Sequence, residues 1–353
     1  MNAMQHGVAW VMLAATACFS ACWAAGTDDI LTGAGATFPA PLYTRWCDLY
    51  FRQIGMRVTY DPVGSGTGIS QLYAKTVDWS GSDAFIADED LTSTSAPLVH
   101  IPTCLGAVAI ICNVPDAPEI NLTAALLADI LRGRITLWSD QRIAAVNPQR
   151  HFPDLAITVV HRSDASGTTF ILSDYLTKAA PSWRNSLGRN RQLSWPVGLG
   201  VGGSEAVAAM VGRIPGAIGY TEMTYAKKTG MPCARMQNRQ GEFLAPSVET
   251  IMAAAQIDLP TDTRVYLGDT HAPHGYPIAS FTWVVCYREQ NYDQRSREHA
   301  RQLAKLLWWM THDGQRQIGG LSYAPLPDPA VKHAETVLRS LTYNNQSLLE
   351  HFP

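Results

Sequence analysis

Residues Ala156-Ile-Thr-Val-Val-His-Arg-Ser-Asp-Ala-Ser-Gly-Thr-Thr-Phe-Ile-Leu172 decide how the rest of the chain is read. Ala156 to Val160 is an apolar, β-branched run that predicts a buried strand. From Phe170 to Leu176 apolar residues recur at helical spacing, so a strand gives way to a helix across Ser166-Gly167-Thr168. The first turn of a helix leaves N–H groups without intrahelical partners, and the positive end of its dipole favours an anion there. Arg162 adds a permanent forked cation, and Asp164, two residues on, can hold that fork in one orientation. The stretch reads as half of a cage for a small tetrahedral oxyanion.

Working outward, the same grammar recurs twice near the start of the chain. Ile30 to Phe38 begins as a strand and breaks into a small-residue loop, after which Pro39 and Pro41 open a helix with Leu42, Trp46 and Leu49 on one face. Arg57 to Tyr60 is a short alternating strand, followed by Gly64-Ser65-Gly66-Thr67-Gly68 and a helix carrying Ile69, Leu72 and Tyr73. Any one of these turns, centred on Thr37, Ser65 and Ser166, would by itself be read as an N-cap. Together, and with an arginine beside one of them, they point to a shared anion. A fourth segment, Trp79-Ser-Gly-Ser-Asp83-Ala84, sets an Asp in a small-residue turn; its meaning depends on the other three.

The 353 residues suffice for two domains or one large one, and 46% apolar with 16% charged content suits a packed globular protein. A formal charge of −3 lacks the basic field that duplex nucleic acid demands, so no nucleic-acid partner is expected. Residues 1–26 stand apart: Val8 to Ala25 is almost wholly apolar and ends in small residues, as a secretory signal peptide does. The leader carries no Lys or Arg. Cleavage near Ala24 to Gly26 would release a soluble protein; Phe19-Ser-Ala-Cys22 would instead supply a lipid anchor through Cys22. Either route exports the chain. Five of the seven cysteines lie beyond the leader, Cys47, Cys104, Cys112, Cys233 and Cys286, with no spacing of a zinc or redox motif. One disulfide among them is compatible with an oxidising compartment, and the spacing selects no pair.

Two long β-type runs, His100 to Cys112 and Ile278 to Tyr287, bracket a section of alternating strands and helices. That section includes Leu122 to Leu131, Ser204 to Val211 and Ala217 to Tyr220; long helices around 299–310 and 329–341 follow the second run. Alternation of this kind predicts an α/β architecture with largely parallel sheets. The chain divides naturally into a lobe built from both ends, residues 27–106 and 279–353, and an inserted lobe, residues 107–278. No flexible linker marks the boundary, so the long runs themselves make the connections.

At this point the motifs converge on a family. Leu31-Thr-Gly-Ala-Gly-Ala-Thr-Phe-Pro-Ala-Pro-Leu-Tyr43 resembles the opening of the phosphate-binding proteins (PstS) of phosphate ABC importers. The Gly64-Ser65-Gly66 loop, the Ser82-Asp83-Ala84 turn, the Arg162 to Phe170 segment, Trp195 to Gly200, Pro215 to Tyr220 and Leu321 to Pro327 match in order and spacing. The resemblance covers essentially the whole mature chain. It departs from the family only in Gly66-Thr67 and in the uncharged leader.

The resemblance implies a type II-like periplasmic binding protein of two lobes, each a mainly parallel sheet flanked by helices, joined by a doubly crossed hinge. Its ligand would be inorganic phosphate in the interlobe cleft, and its partners the importer's permease and ATPase. A monomer without cofactor or metal is expected. Carried over by position, Thr37 and Phe38 are the first-loop contacts (Phe38 through its N–H), and Ser65 is the second-loop hydroxyl. Asp83 is the lone acceptor, Arg162 the cation, and Ser166, Gly167 and Thr168 the donors of the opposing lobe. An ionised Asp83 can only accept a hydrogen bond, which matches the proton of hydrogen phosphate and repels sulfate. A site built around such a proton rejects the analogue lacking it by on the order of 10⁴-fold.

Competing readings fare worse on the residues. Ser166 with His161 and Asp164 suggests a hydrolase, yet the nucleophile elbow requires Gly where Asp164 stands, so catalysis is not expected. No Lys follows Gly64-Ser-Gly-Thr-Gly68, so it is not a P-loop. His271-Ala-Pro-His274 reads as an exposed turn and Trp308-Trp309 as helix packing. A secreted sensing, surface or weakly phosphatase-active protein would use the same site without a permease.

Overall fold

The computed structural model describes residues 30–92, 96–115 and 119–350; the leader, with Cys22, lies outside them. Strand β1 (Ile30–Gly35), helix α1 (Ala40–Ile54), β2 (Arg57–Asp61), α2 (Ser65–Tyr73) and β3 (Trp79–Ser82) form the opening unit. α3 (Asp88–Thr92) precedes the long strand β4 (Leu98–Cys112). Then come β5 (Asn121–Leu122), α4 (Ala124–Leu131), α5 (Gln141–Ala145), β6 (Thr158–Arg162), α6 (Gly167–Ala179), α7 (Pro181–Arg184), β7 (Leu199–Val201), α8 (Ser204–Arg213), β8 (Ala217–Glu222) and α9 (Met223–Thr229). The remainder is β9 (Arg235–Gln237), β10 (Phe243–Leu244), α10 (Val248–Ala254), β11 (Ala279–Tyr287), α11 (Arg297–Thr311), α12 (Asp328–Arg339) and the hairpin β12 (Thr342–Tyr343) and β13 (Gln346–Ser347).

Eight strands run in the order β2-β1-β3-β11-β4-β8-β6-β7. Within each lobe the short strands pair parallel: β1 with β2 and β3, β6 with β7 and β8. Every antiparallel pair in this order involves β4 or β11. β4 pairs with β11 from Leu98 to Ala107 and with β8 from Val108 to Cys112, so a single strand serves both lobes. Both long strands are buried along their full length, which is why they read as nearly continuous apolar sequence with no alternation.

The small-residue character of β1 has a packing cause. A Cβ on Gly33 would lie 2.2 Å from the Trp79 ring, and one on Gly35 would lie 2.1 Å from the Gly81 carbonyl oxygen. Trp79 in turn stacks on Tyr60 at 5.1 Å and meets Tyr43 edge-on at 5.4 Å, an arrangement that aromatic quadrupoles favour. α1 buries Leu42 and Trp46 as its spacing predicts, with Tyr43, Cys47 and Tyr50 beside them. It ends at Gly55, whose φ of 82° and N–H to the Phe51 carbonyl make a left-handed cap.

Three expectations shift. The predicted strand at Ala156 to Val160 lies at Thr158–Arg162, because Ala156 bridges Leu137 and parallel pairing with β8 starts only at Thr158. The helix expected from Leu122 starts at Ala124, with the Thr123 hydroxyl accepting from the Leu126 N–H; Asn121 and Leu122 pair with β9 instead. All five described cysteines are free thiols, and burial pushes Cys47 and Cys286 up to about 12. Trp308 and Trp309 are buried on α11, and His271 and His274 lie on an exposed turn.

Candidate anion-binding site

Each predicted site residue sits where a strand of the sheet ends. β1 runs out into Thr37 and Phe38 ahead of α1, β2 into Ser65 at the start of α2, β3 into Asp83, and β6 into Arg162 ahead of α6. Backbone bonds tie the first three turns together: Ala36 N donates to the Gly81 carbonyl and Gly64 N to the Gly35 carbonyl, each at 2.8 Å. Tyr225 and Tyr323 hydroxyls donate to the carbonyls of Thr37 (2.8 Å) and Phe38 (2.6 Å), which leaves the N–H side of that loop turned the other way. His100 fixes the Asp83 turn by accepting from Ile86 N at 3.0 Å; burial holds its pKa down at about 3, so it does so as a neutral acceptor.

The fourth turn comes from the other lobe and meets the first three. Ser166 caps α6 by accepting from Thr169 N at 3.2 Å, which frees its own proton to be donated. The N–H groups of Gly167 and Thr168 belong to the first helical turn and have no intrahelical acceptor. A Cβ on Gly167 would lie 2.4 Å from Ser65 Oγ and 2.5 Å from Asp83 Oδ2. Gly66 N donates to the Ala165 carbonyl across the same boundary at 3.0 Å. Thr37, Phe38, Ser65, Asp83, Arg162, Ser166, Gly167 and Thr168 are all buried.

Charge is arranged with equal economy. Asp164 grips Arg162 through both carboxylate oxygens, Oδ1 accepting from Nε at 2.7 Å and Oδ2 from Nη2. Burial opposes ionisation of Asp164, but the bonds and charge of Arg162 outweigh it and hold the carboxyl below its ordinary range. Arg162 Nη1 is left to face Thr168 Oγ1 at 3.4 Å and Ser204 Oγ at 3.2 Å. Asp83 differs. Its Oδ1 accepts from Thr282 Oγ1 at 2.7 Å, while its Oδ2 is buried without a hydrogen-bond partner among the described residues. Burial therefore pushes Asp83 up to about 7, against the pull of Thr282 and the charges of Arg162 and Arg191. The site is a shell of donors around one acceptor oxygen.

Sequence reasoning missed four residues. Thr282 lies 199 positions from Asp83 in a strand buried along its whole length, and no local signal marks it. Ser204 opens α8 and touches both Arg162 and Thr37. Tyr220 accepts from Arg162 N at 3.1 Å and bonds Thr169 Oγ1 at 2.7 Å; it ended a quoted motif without a role. Arg191 crosses between the lobes to donate to the carbonyls of Ala84 (3.0 Å) and Phe85 (3.3 Å). His161 stacks on Trp195 with centroids 4.8 Å apart, and its Nδ1 lies 3.1 Å from the Arg162 carbonyl oxygen. Its ring is thus engaged away from Ser166. Among the described residues no group of three or more His, Cys, Asp or Glu could hold a metal, and no helix is long and apolar enough to cross a membrane.

Comparison with known proteins bears on the same residues. The PBP superfamily domain matches residues 23–313. The phosphate-binding protein PstS of Pasteurella multocida is 35% identical over 307 residues, 86% of this chain and 88% of that protein. Its counterpart in Xylella fastidiosa is 36% identical over 310 residues, 86% of this chain and 84% of the relative. Among solved structures, a high-affinity periplasmic phosphate-binding protein bound with phosphate superposes with a TM-score of 0.68 at 20% identity, covering 87% of this chain and 92% of that one. That likeness establishes the two-lobed type II-like fold. With a family model over residues 23–313 and relatives of this similarity along nearly its whole length, the chain belongs to the PstS family of phosphate-binding proteins.

Proposed function

We propose that this chain binds inorganic phosphate between its two lobes and delivers it to the membrane permease and ATPase of an ABC importer. Lobe I comprises residues 27–106 and 279–353, lobe II residues 107–278; the change of β4's partner between Ala107 and Val108 supports that division. Thr37, Phe38, Ser65 and Asp83 contribute from lobe I, and Arg162, Ser166, Gly167 and Thr168 from lobe II, with Asp164 orienting the guanidinium. The protein acts after export, in the periplasm, and as a carrier without catalysis. The two routes for its leader, release or attachment through Cys22, both leave it there.

One observation carries the reading: Asp83 Oδ2, buried and unpartnered against the first turn of α6. Every other polar group lining the gap can donate, so a ligand must offer several acceptor oxygens and one proton. Hydrogen phosphate offers both; sulfate would bring a bare oxygen against Asp83 where water cannot intervene. Calorimetry with phosphate and sulfate on the wild type and on Asp83→Asn tests this. The wild type should prefer phosphate by on the order of 10⁴-fold and the variant far less, because an amide can donate to sulfate. A saturating ligand at a hundredfold excess over its dissociation constant should add about 2.7 kcal/mol to stability. Absence of a phosphate heat, or an undiminished preference in the variant, overturns the assignment.

A further inference from the structure

We propose that Ser204 is a positioning residue of this site: its hydroxyl relays a hydrogen bond from Arg162 to Thr37 and so aims the Thr37 proton at the bound oxyanion. The inference rests on the phosphate reading above and goes beyond it by assigning a role to α8, which the motifs left without one. Ser204 is wholly buried. Its Oγ lies 3.2 Å from Arg162 Nη1 and 3.0 Å from Thr37 Oγ1, and its backbone N–H donates to the same Thr37 oxygen at 3.3 Å.

The chemistry of the three groups fixes the direction of the relay. A guanidinium has no acceptor, so Ser204 Oγ receives the bond from Arg162. The Ser204 proton then points to Thr37 Oγ1, which also receives the Ser204 N–H. With two bonds coming in, the threonine's own hydrogen must point outward, toward the gap that Arg162 and Thr168 face. The reverse polarity, Thr37 donating to Ser204, would turn its lone pairs on an anion and leave a repelling oxygen in a buried site. Arg162 thereby acts on the ligand twice, directly as a cation and through Ser204 as the group that orients a donor from the other lobe.

Ser204 is itself held by the residues it serves. Gly203, with φ +81°, is the residue before α8, and its N–H donates to Asp164 Oδ1 at 3.3 Å. Thr221 Oγ1 donates to the Ser204 carbonyl at 3.0 Å. Asp164 thus fixes the guanidinium and the start of α8 together. Because Thr37 belongs to one lobe and Ser204 to the other, the relay exists only when the lobes meet.

The test is phosphate binding and dissociation kinetics for Ser204→Ala, Thr37→Val and the double variant. Ser204→Ala should weaken phosphate binding about tenfold, chiefly through faster dissociation, as loss of a bond to a charged group would. In the Thr37→Val background, where no proton remains to be aimed, the same substitution should change affinity less than about twofold. A merely structural role would give the same factor in both backgrounds, and that result overturns the proposal, as does a Ser204→Ala protein that binds like the wild type. Ser204→Gly should repeat the result if the alanine variant folds poorly. A wild type that fails to bind phosphate in the same titration would sink the parent reading instead, and this inference with it.

Discussion

Asp83 holds one oxygen on Thr282, and its other oxygen is buried with no hydrogen-bond partner within 3.5 Å among the described residues. Burial pushes the carboxyl's pKa to about 7 against the pull of Thr282, Arg162, Arg191 and the Ser65 hydroxyl. The pair of Asp83 and ligand needs one proton between them, and either can bring it. Sulfate has none to bring, so it must borrow the proton from Asp83. Above pH 7 Asp83 is ionised and repels it; below, the protonated carboxyl can donate. The protonated fraction rises roughly thirtyfold between pH 8.5 and pH 6, and sulfate affinity should rise with it. Competition titrations at the two pH values check this, and a pH-independent sulfate affinity would contradict it. At this scale the sequence marks the eight proposed positions because each lies in a short motif with its own turn chemistry, and the structure buries all eight. Thr282 and Ser204 were not, since their significance arises only from contacts with residues 199 and 167 positions away.

Elements matter here mainly through their ends. The first turns of α2, α6 and α8 come together: Gly66 N donates to the Ala165 carbonyl just before α6, and Ser204 at the start of α8 touches both Thr37 and Arg162. The sequence announced the first two as Gly/Ser/Thr turns between a strand and an apolar helical stripe. It marked Ser204 to Val211 as an element but gave its start no role, because Gly203-Ser204 looks like any helix start. Gly167 is the tightest junction. Its φ is not in the left-handed region, so alanine suits the α6 backbone and adds helix propensity worth about 0.5–1 kcal/mol. Yet the new Cβ would lie 2.4 Å from Ser65 Oγ across the gap. Gly167→Ala should therefore melt no lower than the wild type without phosphate, while its phosphate affinity falls about a hundredfold. Thermal scans with and without phosphate read both effects, and an unimpaired ligand-induced shift would refute the close approach.

For the whole molecule, the donors divided between two lobes make the ligand a bridge that favours the arrangement in which they meet. Protein groups bridge as well. Arg191 reaches the carbonyls of Ala84 and Phe85, and Arg264 reaches the Ile86 carbonyl at 3.2 Å and Asp88 at 2.6 Å. Both arginines thus hold residues 84–88 from the far side. Phosphate should make the particle more compact in solution scattering. Arg191→Leu, which leaves every ligand contact in place, should need roughly fivefold more phosphate to reach the same compaction. Profiles that do not change with phosphate would refute the hinge, and an Arg191→Leu curve matching the wild type would remove the clamp. The bracketing β runs were readable as the long strands β4 and β11, whereas these arginines were not, since loop cations carry no periodicity.

The strand β4 is buried over all fifteen of its residues and completes both halves of the sheet. Neither half can be excised as a self-sufficient folding module, because cutting between them would divide β4, which pairs with β11 in one and with β8 in the other. The two halves must therefore fold and melt as one cooperative system.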